Sequence, residues 1–103
     1  MIYLPKQKRN KMEIYNDILS SIKVELTNGE AKPTRVQSLS NLAYDKLVRY
    51  LSELESRKMI VQNPLRITDK GYDFLQDYDR IRDFITAMNM KYFNFLGREI
   101  YEH

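Results

Sequence analysis

The stretch Met59-Ile-Val-Gln-Asn-Pro-Leu-Arg-Ile67, followed at once by Thr68-Asp-Lys-Gly71, decides how this chain folds. Met59-Ile-Val-Gln62 is a short strand-like run, Asn63-Pro64 is a turn signal, and Leu65-Arg-Ile67 alternates as a returning strand does. Together they predict a small hairpin. Thr68 is a favoured N-cap and Asp69 puts an acid in the first turn, so a helix begins where the second strand ends.

Working towards the N-terminus, three helical patterns precede the hairpin. Asn10 followed by Lys11, Met12 and Glu13 fits an N-cap with a glutamate at the third helical position. Met12, Tyr15, Ile18, Leu19, Ile22 and Leu26 then recur at three- and four-residue steps up to Thr27-Asn28-Gly29, where Gly29 stops the helix. Lys32-Pro33-Thr34 opens a second, short helix in which Val36 and Leu39 are expected to reach the core. A third spans Ala43 to about Lys58, with Leu47, Tyr50, Leu51 and Leu54 on one face and Asp45, Arg49 and Ser52 central on the other. Three helices and then a hairpin make a mainly α (α+β) chain in the order of a winged helix-turn-helix. In that architecture the third helix enters the major groove and the hairpin lies along the backbone.

Beyond the hairpin, Phe74, Tyr78, Ile81, Ile85, Met88, Tyr92 and Phe95 are spaced 4, 3, 4, 3, 4, 3, an unbroken heptad pattern. Three heptads rise about 30 Å, further than a domain of this size covers with its own core. A two-stranded coiled coil between identical chains is therefore expected, the alternative being a helix folded back over its own domain. Charge does not orient the pair. Asp77 would meet Lys91 in an antiparallel arrangement and Arg82 in a parallel one, and exposed pairs contribute only about 0–1 kcal/mol. Phe84, Phe93 and Leu96 are apolar outside the seam, with the globular part or Met1 to Leu4 as their expected cover.

Composition narrows the function. With 103 residues, 43% hydrophobic and 30% charged, the chain suits one folded domain and not a multidomain enzyme. No cysteine means no disulfide, no thiolate metal site and no cysteine nucleophile, which favours an intracellular home. His103, the single histidine, is the last residue, and Gly29, Gly71 and Gly97 are too isolated to form a phosphate loop. Asp73, Asp77, Asp79 and Asp83 lie on the outer face of an amphipathic helix beside Arg80 and Arg82, as solvated charges do. No enzyme activity, cofactor, metal or small-molecule ligand is expected. Met1 to Pro5 followed by Lys6, Lys8 and Arg9 has the wrong order for a secretory signal, and no apolar run approaches the roughly 18–20 residues of a membrane span.

The net charge is only +3, but it is unevenly placed: residues 1–70 hold thirteen basic and eight acidic side chains, residues 71–103 four and six. Lys6, Lys8, Arg9 and Lys11 form a basic arm able to lie along phosphates. Gln37, Ser38, Ser40, Asn41, Tyr44, Lys46 and Arg49 present amide, hydroxyl and cationic groups on the third helix and the turn before it. Lys32 and Arg35 flank them, and Arg66 sits in the wing. Double-stranded DNA is the expected partner. Asp45 opposes this, since a carboxylate at the centre of that face repels phosphates unless it accepts from a cytosine amino group or pairs with Arg49; the Arg49 pairing is the expectation. Val48 also points outward, where a thymine methyl could meet it.

Asn10-Lys-Met-Glu-Ile14, Ala31-Lys-Pro-Thr-Arg35, Asn41-Leu-Ala-Tyr44, Tyr50-Leu-Ser-Glu-Leu54 and Ile67-Thr-Asp-Lys-Gly71 occur in that order. In this combination the chain resembles an archaeal winged-helix family, over about residues 8–96. More narrowly, it resembles the small dimeric chromatin-associated DNA-binding proteins of Sulfolobus, of about ten kilodaltons, and ArnR-like winged helix-turn-helix regulators. The resemblance implies a long C-terminal helix paired antiparallel with its twin, with two DNA-binding heads at the ends of a rod. One departure is Ala43, where relatives carry serine as the N-cap of the recognition helix; losing that hydroxyl costs about 0.5–2 kcal/mol. The organisation expected is a basic arm at 1–9, a winged helix-turn-helix at 10–68, a dimerisation helix at 69–97 and a tail at 98–103. The function expected is weakly specific or sequence-independent architectural binding of duplex DNA by a cytoplasmic, nucleoid-associated homodimer. A gene-specific regulator and a winged-helix protein-interaction module are its alternatives.

Overall fold

The computed structural model describes residues 9–93. Asn10 caps α1 (Lys11–Thr27) through a reciprocal box in which its side chain accepts from the Glu13 amide while the Glu13 carboxylate accepts from the Asn10 amide, each at 2.8 Å. Pro33 opens α2 (Pro33–Ser40), and Asn41 ends it in a left-handed conformation. Ala43 precedes α3 (Tyr44–Ser56) with no side-chain cap, although Asp45 supplies an acid to the first turn, where the helix dipole favours it. The wing is β1 (Ile60–Val61) and β2 (Arg66–Ile67), antiparallel, with Ile60 facing Ile67 and Val61 facing Arg66. Thr68 caps α4 (Asp69–Tyr92) by accepting from the Gly71 amide at 3.2 Å.

The core lies where the three helices meet the inward side of the wing: Tyr15, Ile18, Leu19 and Ile22 of α1, Val36 of α2, Leu47, Leu51 and Leu54 of α3, and Ile60, Leu65, Ile67 and Leu75. Two residues expected inside are not. Leu39 is 50% exposed, because α2 packs through the row Val36 and Ser40 and Leu39 falls to one side of it. Met12 is also exposed, one turn ahead of the point where α1 meets its neighbours.

The last helix is longer than the body beneath it. Only Gly71 and Leu75 of α4 are buried, and every described residue from Asp79 onward is exposed. The heptad is divided as a result. Phe74 packs edge-to-face on Tyr15 at 6.2 Å between ring centroids, and Tyr78 stacks on Phe74 at 6.0 Å. Of these two positions of the expected seam, Phe74 joins α4 to α1 and Tyr78 is half-buried beside it. Ile81, Ile85, Met88 and Tyr92 stand exposed, as do Phe84 and Phe93, which the globular part does not cover. Phe95 and Leu96 lie outside the described residues.

Candidate nucleic-acid interface

The turn between α2 and α3 aims the third helix. The Asn41 amide donates to the carbonyls of Gln37 and Ser38 at 3.0 and 3.3 Å, and its positive φ of 58° reverses the chain. Leu47, Leu51 and Leu54 then anchor one side of α3, leaving Tyr44, Asp45, Lys46, Val48, Arg49 and Ser52 on the other side in solvent.

The structure sorts the candidate cations into two groups. Arg9 does not belong to a free basic arm: its guanidinium donates to Asp17 at 2.7 Å and to the carbonyls of Ser40 and Asn41 at 2.9 and 3.1 Å. A planar group with five donors suits this role, since it holds a carboxylate on α1 and two carbonyls at the C-terminal end of α2 together. Lys11 is paired with Glu53 at 3.3 Å, and Arg35 with the buried Glu25 at 3.4 Å, although 64% of the Arg35 side chain remains exposed. In contrast, Lys32, Lys46, Arg49 and Arg66 are exposed and enter no ion pair among the described residues. Lys6 and Lys8 lie outside those residues.

Among the polar candidates, Ser38, Asn41 and Tyr44 are exposed and Gln37 is half-buried. Ser40 is not available to a ligand. It is buried, and its hydroxyl donates to the Val36 carbonyl at 2.7 Å, as a small polar residue does where two helices press together.

The expected Asp45–Arg49 pair does not form. The Arg49 guanidinium lies over the Tyr50 ring, 5.7 Å from its centroid, and Tyr50 is held edge-on against Tyr15. An exposed ion pair one turn along a helix contributes little, whereas an aromatic face offers the guanidinium both contact area and a favourable quadrupole. Asp45 enters no ion pair and accepts no hydrogen bond among the described residues.

A polar network missed in the sequence ties α1 to the far end of α3. The Tyr15 hydroxyl donates to Glu53 at 2.6 Å and accepts from Arg57 Nε at 2.9 Å. Burial, reinforced by the Glu53 carboxylate, pushes the Tyr15 hydroxyl above its ordinary pKa; the same hydrogen bond draws Glu53 below the usual carboxylate range. The wing also carries an overlooked feature. Val61 is exposed opposite Arg66, and the period-two alternation of a strand was the signal that could have found it. On α4, Asp77 pairs with Arg80 and Asp79 with Arg82, so these acids neutralise neighbouring arginines.

A helix-turn-helix closed by a hairpin, with its third helix presented outward, defines the class as a winged helix-turn-helix. The profile of the winged helix-turn-helix family matches residues 8–86, and the chain belongs to that family. A comparison with curated proteins finds no match. No described helix is long and apolar enough to cross a membrane.

Proposed function

We propose that the protein binds duplex DNA by laying α3 in the major groove and the wing on the adjoining backbone. One observation carries this reading: of the candidate contact residues, the cations Lys32, Lys46, Arg49 and Arg66 of the helix-turn-helix and wing are exposed and enter no ion pair among the described residues, while Arg9, Lys11 and Arg35 are engaged elsewhere. These four are phosphate-type contacts, which position a protein on DNA more than they specify sequence, so the binding is weakly selective and the role architectural. A nucleoid location follows from that role.

The same reading includes a homodimer. Ile81 is 49% exposed and Ile85 53%, and with Met88 and Tyr92 they keep heptad spacing along about 17 Å of α4 in which every described residue is exposed. A second copy of this helix, antiparallel as the resemblance implies, would cover that stripe. Ile85→Asp is expected to halve the sedimenting mass; an unchanged mass refutes the dimer.

DNA binding is tested by fluorescence anisotropy on a random duplex of about 30 base pairs across roughly 50–200 mM salt. Four phosphate contacts per head give a log–log salt slope of about −3.6 per head engaged, and Arg49→Ala lowers its magnitude by about 0.9. Binding that ignores salt and Arg49 would favour a protein-interaction module instead.

A further inference from the structure

We infer that Asp45 gives this weakly selective interface a preference for cytosine at one position, accepting a hydrogen bond from the exocyclic amino group of that base in the major groove. The inference rests on the proposal that α3 enters that groove, and it deepens it.

Asp45 is the second residue of α3, in the N-terminal turn where recognition helices meet base edges. It shares an exposed face with Val48, Arg49 and Ser52, and Lys46 adjoins it. The partner that would have hidden its charge is elsewhere, because Arg49 is turned onto Tyr50. A bare carboxylate is thus carried towards a polyanion on a surface otherwise furnished with cations. Such a group opposes binding everywhere except where a donor awaits it. Only two major-groove edges offer an amino donor, cytosine N4 and adenine N6. The adenine donor stands beside the N7 acceptor, whose lone pair faces the second carboxylate oxygen, whereas cytosine offers its donor with no adjacent acceptor of its own. The chemistry therefore favours cytosine.

The test is selection of duplexes from a random pool by the full-length wild type, Asp45→Ala and Asp45→Asn, with sequencing of the retained DNA and thermal melts of all three proteins. The wild type is expected to enrich cytosine about fivefold or more at one position per half-site. Asp45→Ala should lose that preference at that position alone while retaining other preferences. Asp45→Asn should move it towards adenine, since an amide presents a donor and an acceptor together and matches N7 and N6. If the wild type and Asp45→Ala retain pools of the same composition at every position, the inference falls while DNA binding stands, and a lower melting temperature for Asp45→Ala would then mark a purely helix-stabilising acid. If no protein retains duplex at any salt, the DNA-binding proposal falls and takes this inference with it.

Discussion

Replacing Gly71 with alanine tests the joint between wing and long helix, and general helix propensity and this structure disagree on the sign of its effect. Gly71 lies in the first turn of α4, where alanine is intrinsically better than glycine by about 1 kcal/mol, so propensity alone raises the melting temperature. Here, however, an added Cβ would overlap the Met59 carbonyl oxygen and come within 2.6 Å of Ile67 Cγ2. The carbonyl cannot swing aside. It accepts from the Thr68 amide at 3.0 Å, and the preceding carbonyl, that of Lys58, accepts from the Thr68 hydroxyl at 2.7 Å. Relief requires α4 to tilt off the hairpin, loosening Ile67 and Leu75. Overpacking of this kind costs about 1–3 kcal/mol and a weakened hydrogen bond about 1 more, against about 1 recovered from propensity. The net loss of about 1–3 kcal/mol should lower the melting temperature of a domain this size by about 5–15 °C in a calorimetric or circular-dichroism melt. A Gly71→Ala protein that melts at or above the wild-type temperature would show that the close approach is not tight and that the argument for a rigid joint is wrong.

Arg9→Ala should destabilise the fold by about 1–2 kcal/mol in urea titration, since it strips a half-buried Asp17 and two carbonyls of their donor, yet leave the DNA salt slope unchanged; a lower slope would return Arg9 to the phosphate-contacting set. Thr68→Ala removes both the α4 cap and the bond to the Lys58 carbonyl and should cost about 1–2 kcal/mol, while Thr68→Ser recovers most of the loss. Tyr15 holds its proton more tightly folded than unfolded, so its contribution to stability is complete below its ordinary pKa near 10 and is lost as pH rises beyond it. Tyr78, also raised by burial, acts in the same direction. Tyr15→Phe should therefore flatten part of the alkaline fall in stability between about pH 9 and 11, and an unchanged alkaline slope would count against the buried hydroxyl network.

What was legible in the sequence was local. The Asn10–Glu13 box, the Thr68 cap and the 60–67 hairpin are written within a few residues of one another, and the wheel of α3 correctly set Asp45, Val48, Arg49 and Ser52 facing outward. What was not legible depended on partners distant in the chain. Arg9 reads as one of four arm cations until Ser40 and Asn41, more than thirty residues on, are brought to it. Arg49 reads as the natural partner of Asp45 until Tyr15 positions the Tyr50 ring. A heptad reports only that positions share a stripe, and cannot say that Phe74 packs on Tyr15 and Tyr78 on Phe74 while Ile81 and Ile85 stand exposed. Leu39 failed for a similar reason, because a two-turn helix offers two apolar rows and the choice between them is made by α1.

The proposed dimer gives the division of α4 a mechanical meaning. Two heads on one duplex bind more tightly than one only if the second engagement costs little orientational freedom, and that cost is set by the joint between head and rod. In this chain the joint runs from Ile67 to Tyr78, and it is fastened from several sides: the Thr68 cap, the Gly71 approach to the Met59 carbonyl, the buried Leu75, and the Phe74 and Tyr78 rings leading to Tyr15. Tyr15 is the hub, because its ring also meets Tyr50 and its hydroxyl holds Glu53 of α3 and Arg57, the C-cap of that helix. The ring that seats the rod is thus also the ring that seats α3. Any change in the angle between rod and body must therefore disturb a contact of α3, so a dimer built on α4 and binding as proposed would hold its two α3 helices at a fixed separation and fixed phase along the duplex.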